Sequence, residues 1–558
     1  MDAKRTDLTR RNFVMGLGVA SAGLAAAGLI GCSDDSSNAE ADQGAPNDKA
    51  VADENASWDI ETDILIVGSG FAGLCAAIEA TKAGSEVVLL EKNTVFGGNS
   101  IMCAGNAQFG GGNFVQERAG ISDTPERFYN DIFVYGSHRA EPVLLQQFVD
   151  LSNETVDWMA DELGIEFSEN VSQNEGHEVP CSLMPAPSDN YPGSGGISYW
   201  YAMYAKAVEQ GTEMHLEHKV TKILQDGDGA VIGLEYEAEG ATRRAKARQA
   251  VILGSGGWKS NEAMRRNWDS RLDSDLSAGG LPYVETTGEL INEAVDIGAG
   301  LRDMSYVCEF RFKWGTRLYQ GWTPVDIENP PSLSTGMRFS TFNNVVMVDK
   351  GGNRFVDENA ADEYPQEPFY EAFLNQEAPR SVWAVVDADE AAALEWDISA
   401  LENPTEEEPP YLNEERVAIA DTLDDLASQM GVPVDALKAT VDKYNGFVEA
   451  KKDADFGKED MSAKVEKVPF YAVKMQFFAH DQMGGLVANS KAQVCKRSAA
   501  YGPDPITLDD QEVIPRLYAA GENVGGYVGE DRGHGKISIY MVYGRIAGQV
   551  AAMESRME

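Results

Sequence analysis

Asp63-Ile64-Leu65-Ile66-Val67-Gly68-Ser69-Gly70-Phe71-Ala72-Gly73 decides the fold of this 558-residue chain. Residues 64–67 form an uninterrupted aliphatic run, the pattern of a strand buried on both faces of a parallel sheet. The run passes directly into Gly68, Gly70 and Gly73, and a helical stretch over 74–83 follows until Gly84 supplies a stop. Residues 86–90 read as the next strand, finishing at Glu91 and Lys92. Together these segments make one βαβ unit. The glycines permit a tight turn, close approach of backbone to a diphosphate, and close packing of helix on strand. Phe71 and Ala72 lead into a helix whose N-terminus offers free N–H groups to phosphate. Glu91, 18 residues beyond Gly73, stands where a carboxylate accepts hydrogen bonds from an adenosine ribose.

Further elements of the same kind lie outward from this unit. At Gly97, Gly98, Asn99 and Ser100 backbone can approach the far half of a long dinucleotide, which favours FAD over NAD. A hairpin over 219–248, carrying Val220, precedes a second strand that runs from Val251 into Gly254, Ser255, Gly256 and Gly257. A third strand, 517–520, runs into Gly521 and Glu522, and a helix carrying Ile537 opens near Lys536. Three strand-to-glycine elements spread over this distance imply one nucleotide domain interrupted by an insertion.

These motifs, together with Gly352-Asn353-Arg354-Phe355-Val356-Asp357-Glu358 and Met483-Gly484-Gly485, occur in the order found in fumarate reductase and succinate dehydrogenase flavoproteins. The chain resembles that family over most of 58–558. It is most similar to the exported soluble branch of flavocytochrome fumarate reductases, urocanate reductases and 3-ketosteroid dehydrogenases. The resemblance implies an α/β fold in which a Rossmann-like FAD-binding domain, 58–305 and 481–558, is interrupted by a smaller α+β capping domain, 306–480. It also implies hydride exchange between flavin N5 and an alkene carbon where cap meets flavin.

At the substrate end the chain departs from fumarate reductases. By the resemblance, the family's clamping histidines fall at Phe310 and at Asp481, beside His480, and its acid arginine falls a few residues after the 352–358 segment, where this chain has Asp362-Glu363-Tyr364. The late arginine is kept as Arg532. A carboxylate at 362 repels a dicarboxylate, so a substrate other than fumarate is expected. Phe310, Phe312, Trp314, Tyr319 and Trp322 either line a pocket for a flat, apolar molecule or form the core of the cap. The candidate catalytic residues are Arg532, Tyr364, Asp362 and His480. Tyr364 is the preferred proton donor, because a phenol is protonated at neutral pH whereas Asp362 needs burial to remain so. Of the histidines, His138, His177, His215 and His218 show no metal-ligand spacing, and no metal is expected.

The formal net charge of −44 repels nucleic acid phosphates and excludes that partner class. Arg10-Arg11 ahead of an uncharged stretch over 13–31 reads as a twin-arginine export signal. That stretch ends in Leu29-Ile30-Gly31-Cys32, which resembles a bacterial lipobox. Residues 1–32 are therefore expected to be a lipoprotein signal, with lipid on Cys32 at the membrane surface, and 33–57 a solvated tether. An uncleaved membrane anchor is the alternative. Six dispersed cysteines carry no haem, zinc or iron–sulfur signature, so electrons for a reductase must come from an external electron-transfer protein. The expected activity is FAD-dependent reduction of an activated C=C bond. The alternatives are desaturation of a ketone such as a 3-ketosteroid, or a non-catalytic flavin-containing lipoprotein that binds an apolar ligand.

Overall fold

Parallel strands form the centre of the larger, mixed sheet, which also holds antiparallel pairs. The computed structural model describes residues 57–558 except 175, 192–194, 275–276, 279–285, 306–338, 340, 362–366, 397–416, 476–477, 480–481, 498–506, 530–535 and 558. Strand β1, Ile60–Val67, is followed by helix α1, Phe71–Lys82, and strand β2, Val87–Leu90. The helix starts at Phe71, three residues before the expected Leu74, because Gly70 is itself the N-cap and Phe71 to Gly73 form the first turn. Helix α2, Pro142–Asp161, and helix α3, Gly196–Glu209, lead to β3, Glu213–His215. The expected hairpin is formed by β4, Lys219–Gln225, and β5, Val231–Ala238, with β6, Ala241–Leu253, as a third strand. Strand β6 merges two elements that read as separate in the sequence: it starts antiparallel to β5 and ends parallel to β1.

The smaller sheet takes its strands from the middle of the chain. Its order is β7 (Val346–Val348), β8 (Val382–Val386), β10 (Phe470–Met475) and β9 (Val417–Ala420), all antiparallel. Helices α4, Leu423–Met430, and α5, Val434–Ala450, cover one face. Because side chains alternate along a strand, Val346, Val348, Trp383, Val385, Ala418 and Ala472 pack with Leu426, Leu437 and Tyr444 in a separate core. Met347, Ala384, Tyr471 and Val473 face the other way and join the main core. Under the helices Arg354 bridges Glu358 at 2.8 Å and Asp453 at 3.0 Å, and Lys458 joins Glu358 at 3.2 Å. Two bridges tie this unit to the larger sheet's connections, Arg271 to Glu371 at 2.6 Å and Arg380 to Asp273 at 2.9 Å.

The chain then returns through β11, Gln493–Cys495, and β12, Val513–Ala519, to helix α6, Ile537–Ala551. The larger sheet runs β11-β12-β6-β1-β2-β3, with β5 and β4 branching from β6. Helix α1 is buried from Phe71 through Glu79 to Ala80, so it is enclosed on every side. Close crossing by α6 explains this: a Cβ on Gly544 or Gly548 would lie 2.5 or 2.3 Å from the carbonyls of Ala72 or Ala76. Arg545 then reaches Glu79 at 2.8 Å. Among the described residues no helix is long and apolar enough to cross a membrane; the export signal and tether expected over 1–57 fall almost entirely outside them.

Candidate functional site

Register places the decisive turns side by side. Val67 at the end of β1 pairs with Leu253 at the end of β6, which pairs with Ala519 at the end of β12. The carboxyl ends of three parallel strands therefore open together, where ligands bind in doubly wound sheets. The cleft above them is open to solvent and, with the solvent space at its mouth, spans about 940 Å³.

The first turn is built so that no side chain intrudes. A Cβ on Gly68, at φ +97°, would lie 2.3 Å from the Gly254 carbonyl, and one on Gly73 would lie 1.9 Å from the Gly68 carbonyl. Only glycine allows β1, β6 and α1 to meet this closely. Gly70 caps α1 without a side-chain bond. Of the first N–H groups of the helix, that of Phe71 donates to Ser100 Oγ at 3.0 Å, and the end of the helix faces the cleft as an anion site.

Glu91 is buried and partly occupied. Its Oε2 accepts from the Ser69 N–H at 3.0 Å and the Ser69 hydroxyl at 2.6 Å, and its Oε1 accepts from the Asn93 N–H at 3.0 Å. Ser69 Oγ in turn accepts from the Gly97 N–H at 2.8 Å. A carboxylate offers about four lone pairs, so one on Oε1 remains for a ribose hydroxyl. Glu91 thus fixes the glycine turn as well as presenting an acceptor, a double role that spacing alone does not reveal.

The other sequence candidates distribute as follows. Gly97, Gly98, Asn99 and Ser100 line one wall, and Asn99 Oδ1 is buried without a protein partner, as expected where a ligand donor is missing. Gly254, Ser255 and Gly256 line the floor, with Gly521 and Glu522 beside them. Val220 and Lys92 lie at the end nearest β2. Lys92 is directed at Glu289, 3.2 Å away. Burial pushes the Glu289 carboxyl up, but the Thr287 hydroxyl and the Lys92 ammonium outweigh it and hold it below its ordinary range. Gly73 and Ile537 stand outside the lining: the first is a packing position under Gly68, and the second opens α6, which reaches the cleft through Tyr540.

Residues that sequence reasoning missed complete the walls: His218, Thr286, Glu289 and Leu290. The His218 N–H donates to the Glu91 carbonyl at 2.9 Å, and its ring stacks on Tyr236 at 5.1 Å. Its place two residues before Val220 on the β4 approach was the available signal. Arg532, Tyr364, Asp362, His480 and Asp481 lie outside the described residues, as do Phe310, Phe312, Trp314, Tyr319 and Trp322. Among the described residues no group of three or more His, Cys, Asp or Glu side chains is placed to hold a metal.

The donor set fits a dinucleotide, with a helix N-terminus, side-chain-free turns and an acceptor carboxylate at one end, and an orphaned amide oxygen in the wall. The family described as FAD binding domain matches residues 63–537. Urocanate reductase of Eggerthella lenta is 30% identical over 93% of this chain and 79% of its own length. Digoxin reductase of the same organism is 29% identical over 98% of this chain and 97% of its own. An open-conformation structure of a flavocytochrome c3 fumarate reductase superposes with a TM-score of 0.70 at 27% identity, covering 89% of this chain and 78% of that one. This chain belongs to the fumarate reductase-like FAD flavoproteins, oxidoreductases that act on carbon–carbon bonds.

Proposed function

We propose that this chain is an exported reductase that saturates an activated C=C bond, an enone or enoate larger and more apolar than fumarate, with electrons from an external donor protein. The observation that carries the reading is a substitution pattern. Relatives are named as reductases, yet by the resemblance read in the sequence the places that clamp a dicarboxylate in fumarate reductases correspond to Phe310, to Asp362-Glu363-Tyr364 and to Asp481 here. Losing one charge partner in a desolvated site costs about 2–5 kcal/mol, so three such losses argue against a small dicarboxylate.

In this reading FAD, when bound in the cleft, supplies hydride chemistry at flavin N5. The first turn of α1 and the turn at Gly254 to Gly256 bind the diphosphate, and Glu91 accepts from the ribose. Arg532 binds and polarises the carbonyl or carboxylate oxygen conjugated to the alkene. Tyr364 Oη gives its proton to the alkene carbon that does not take hydride, with Asp362 and His480 as further donors. One hydride and one proton saturate the bond, and the external donor returns two electrons. The unit around the smaller sheet, within 306–480, closes over 58–305 and 481–558 and excludes water, which strengthens every polar contact to the developing charge. Export through 1–32 and lipid on Cys32 would hold the enzyme at the membrane surface near its donor.

The test is anaerobic reduction of the purified holoenzyme with reduced viologen, followed by a panel of enones and enoates. Reoxidation of the flavin by an enone or enoate, and not by fumarate, is expected. Turnover only with a dye acceptor and saturated ketones would instead make the chain a desaturase. A reduced flavin that no panel member reoxidises would leave a ligand-binding lipoprotein.

A further inference from the structure

Among the described residues three carboxylates, Glu91, Glu289 and Glu522, line the cleft against one ammonium, Lys92, which is tied to Glu289. An anionic diphosphate entering such a site meets repulsion that a partly buried cleft screens poorly. A second ammonium sits behind the wall. Lys259 Nζ lies 3.4 Å from Glu522 Oε1, with the two side chains only 5% and 9% exposed.

Both partners are held by their backbones. The Trp258 N–H donates to Gln482 Oε1, and its indole N–H donates to the Gly484 carbonyl at 3.0 Å. The Lys259 carbonyl accepts from Arg265 Nη1. Gln482 Nε2 donates to the Glu522 carbonyl at 3.3 Å, so one amide clasps the turns that carry Lys259 and Glu522. Gly257 makes room for it: a Cβ there would lie 2.3 Å from the Gln482 amide carbon. With both main chains fixed, the turns that carry the two residues bring ammonium and carboxylate within reach of each other.

We propose that Lys259 is a positioning residue for the cofactor: by pairing with Glu522 it cancels a carboxylate charge in the cleft wall, and so sets how tightly the FAD diphosphate is held. The proposal rests on the reading that FAD occupies this cleft. Lys259 acts through Glu522 and through the local potential, not by contact with the reacting atoms.

The experiment is a fluorescence titration of folded apoprotein with FAD, at low and high salt, for wild type, Lys259→Met, Lys259→Arg, Lys259→Met/Glu522→Gln and, as a reference, Glu91→Gln. Lys259→Met is expected to weaken FAD binding about tenfold to a hundredfold at low salt and less at high salt. Lys259→Arg stays within about threefold of wild type, and the double variant recovers most of the loss, because it removes the charge left uncompensated. Far-UV circular dichroism establishes that each variant is folded; if Lys259→Met does not fold, Lys259→Gln, which also removes the ammonium, takes its place in the same titrations with the same expectation. Equal affinity of Lys259→Met and wild type, while Glu91→Gln loses affinity, overturns the inference and leaves the cleft assignment standing. So does a Lys259→Met loss that Glu522→Gln does not relieve, since that is the mark of packing alone. If neither Lys259→Met nor Glu91→Gln weakens FAD binding, both inference and cleft assignment fall.

Discussion

Replacing Glu91 by Gln separates the two jobs its carboxylate performs. Gln keeps the shape but converts one oxygen into an NH₂ group, so either the two donors of Ser69 or the N–H of Asn93 must face a donor instead of an acceptor. One buried donor left unsatisfied costs about 1–3 kcal/mol of folding stability. The remaining lone pair, on Oε1, is the one open to a ribose hydroxyl, and a hydrogen bond to a charged group is worth about 1.5–3 kcal/mol. That converts to FAD affinity lower by about ten- to a hundredfold. Urea unfolding of the apoprotein reads the first quantity, and titration of the same apoprotein with FAD by flavin fluorescence reads the second. A variant that loses stability yet binds FAD within about twofold of wild type would refute the ribose assignment and leave Glu91 as a brace for the glycine turn.

Other perturbations probe the frame. Gly73→Ala places a Cβ 1.9 Å from the Gly68 carbonyl, so it should cost about 1–3 kcal/mol or more and weaken FAD binding; unchanged thermal stability and affinity would contradict the close packing of α1 on the turn. Arg354→Leu leaves Glu358 and Asp453, both fully buried, without their guanidinium, and should lower stability in urea by about 3–5 kcal/mol. A loss under about 1 kcal/mol would mean the cluster is not closed as described. Glu371 carries a pH prediction: its hydrogen bond to Arg271 holds the carboxyl below its ordinary range despite some burial. The stabilisation is therefore present above the unfolded value, about 4.3, and lost as pH falls through the folded one. Glu371→Gln should flatten the melting temperature between about pH 5 and pH 3 relative to wild type, and parallel curves would show that the bridge does not form in solution.

Much of the frame was legible because its causes are local. The buried strand, the glycine turn and the second strand each follow from a few consecutive residues, and the boundaries moved by at most three positions, at Ile60, where the strand begins before Asp63, and at Phe71, where glycine at the cap let the helix begin early. The hairpin and the second strand signal were read as two elements because β6 changes partner midway. Its burial alternates from Ala245 to Gln249 and becomes continuous from Ala250 to Leu253, and the change of pattern looks like a boundary. The cleft residues missed, Thr286, Glu289 and Leu290, stand in no motif; they belong to the connection that packs beside β4.

From the order of residues alone came the glycine turn between two buried strands, the two further strand-to-glycine elements and the expectation of a ribose-binding carboxylate at Glu91, since glycine requirements and burial periodicity are properties of neighbours along the backbone. Only the tertiary structure decided that Val67, Leu253 and Ala519 end in one line, that Glu91 braces the turn it serves, and that Lys259 meets Glu522 across 263 positions. Those facts depend on strand register and on which backbones approach within a glycine's breadth, and both are settled by packing between segments far apart in the chain.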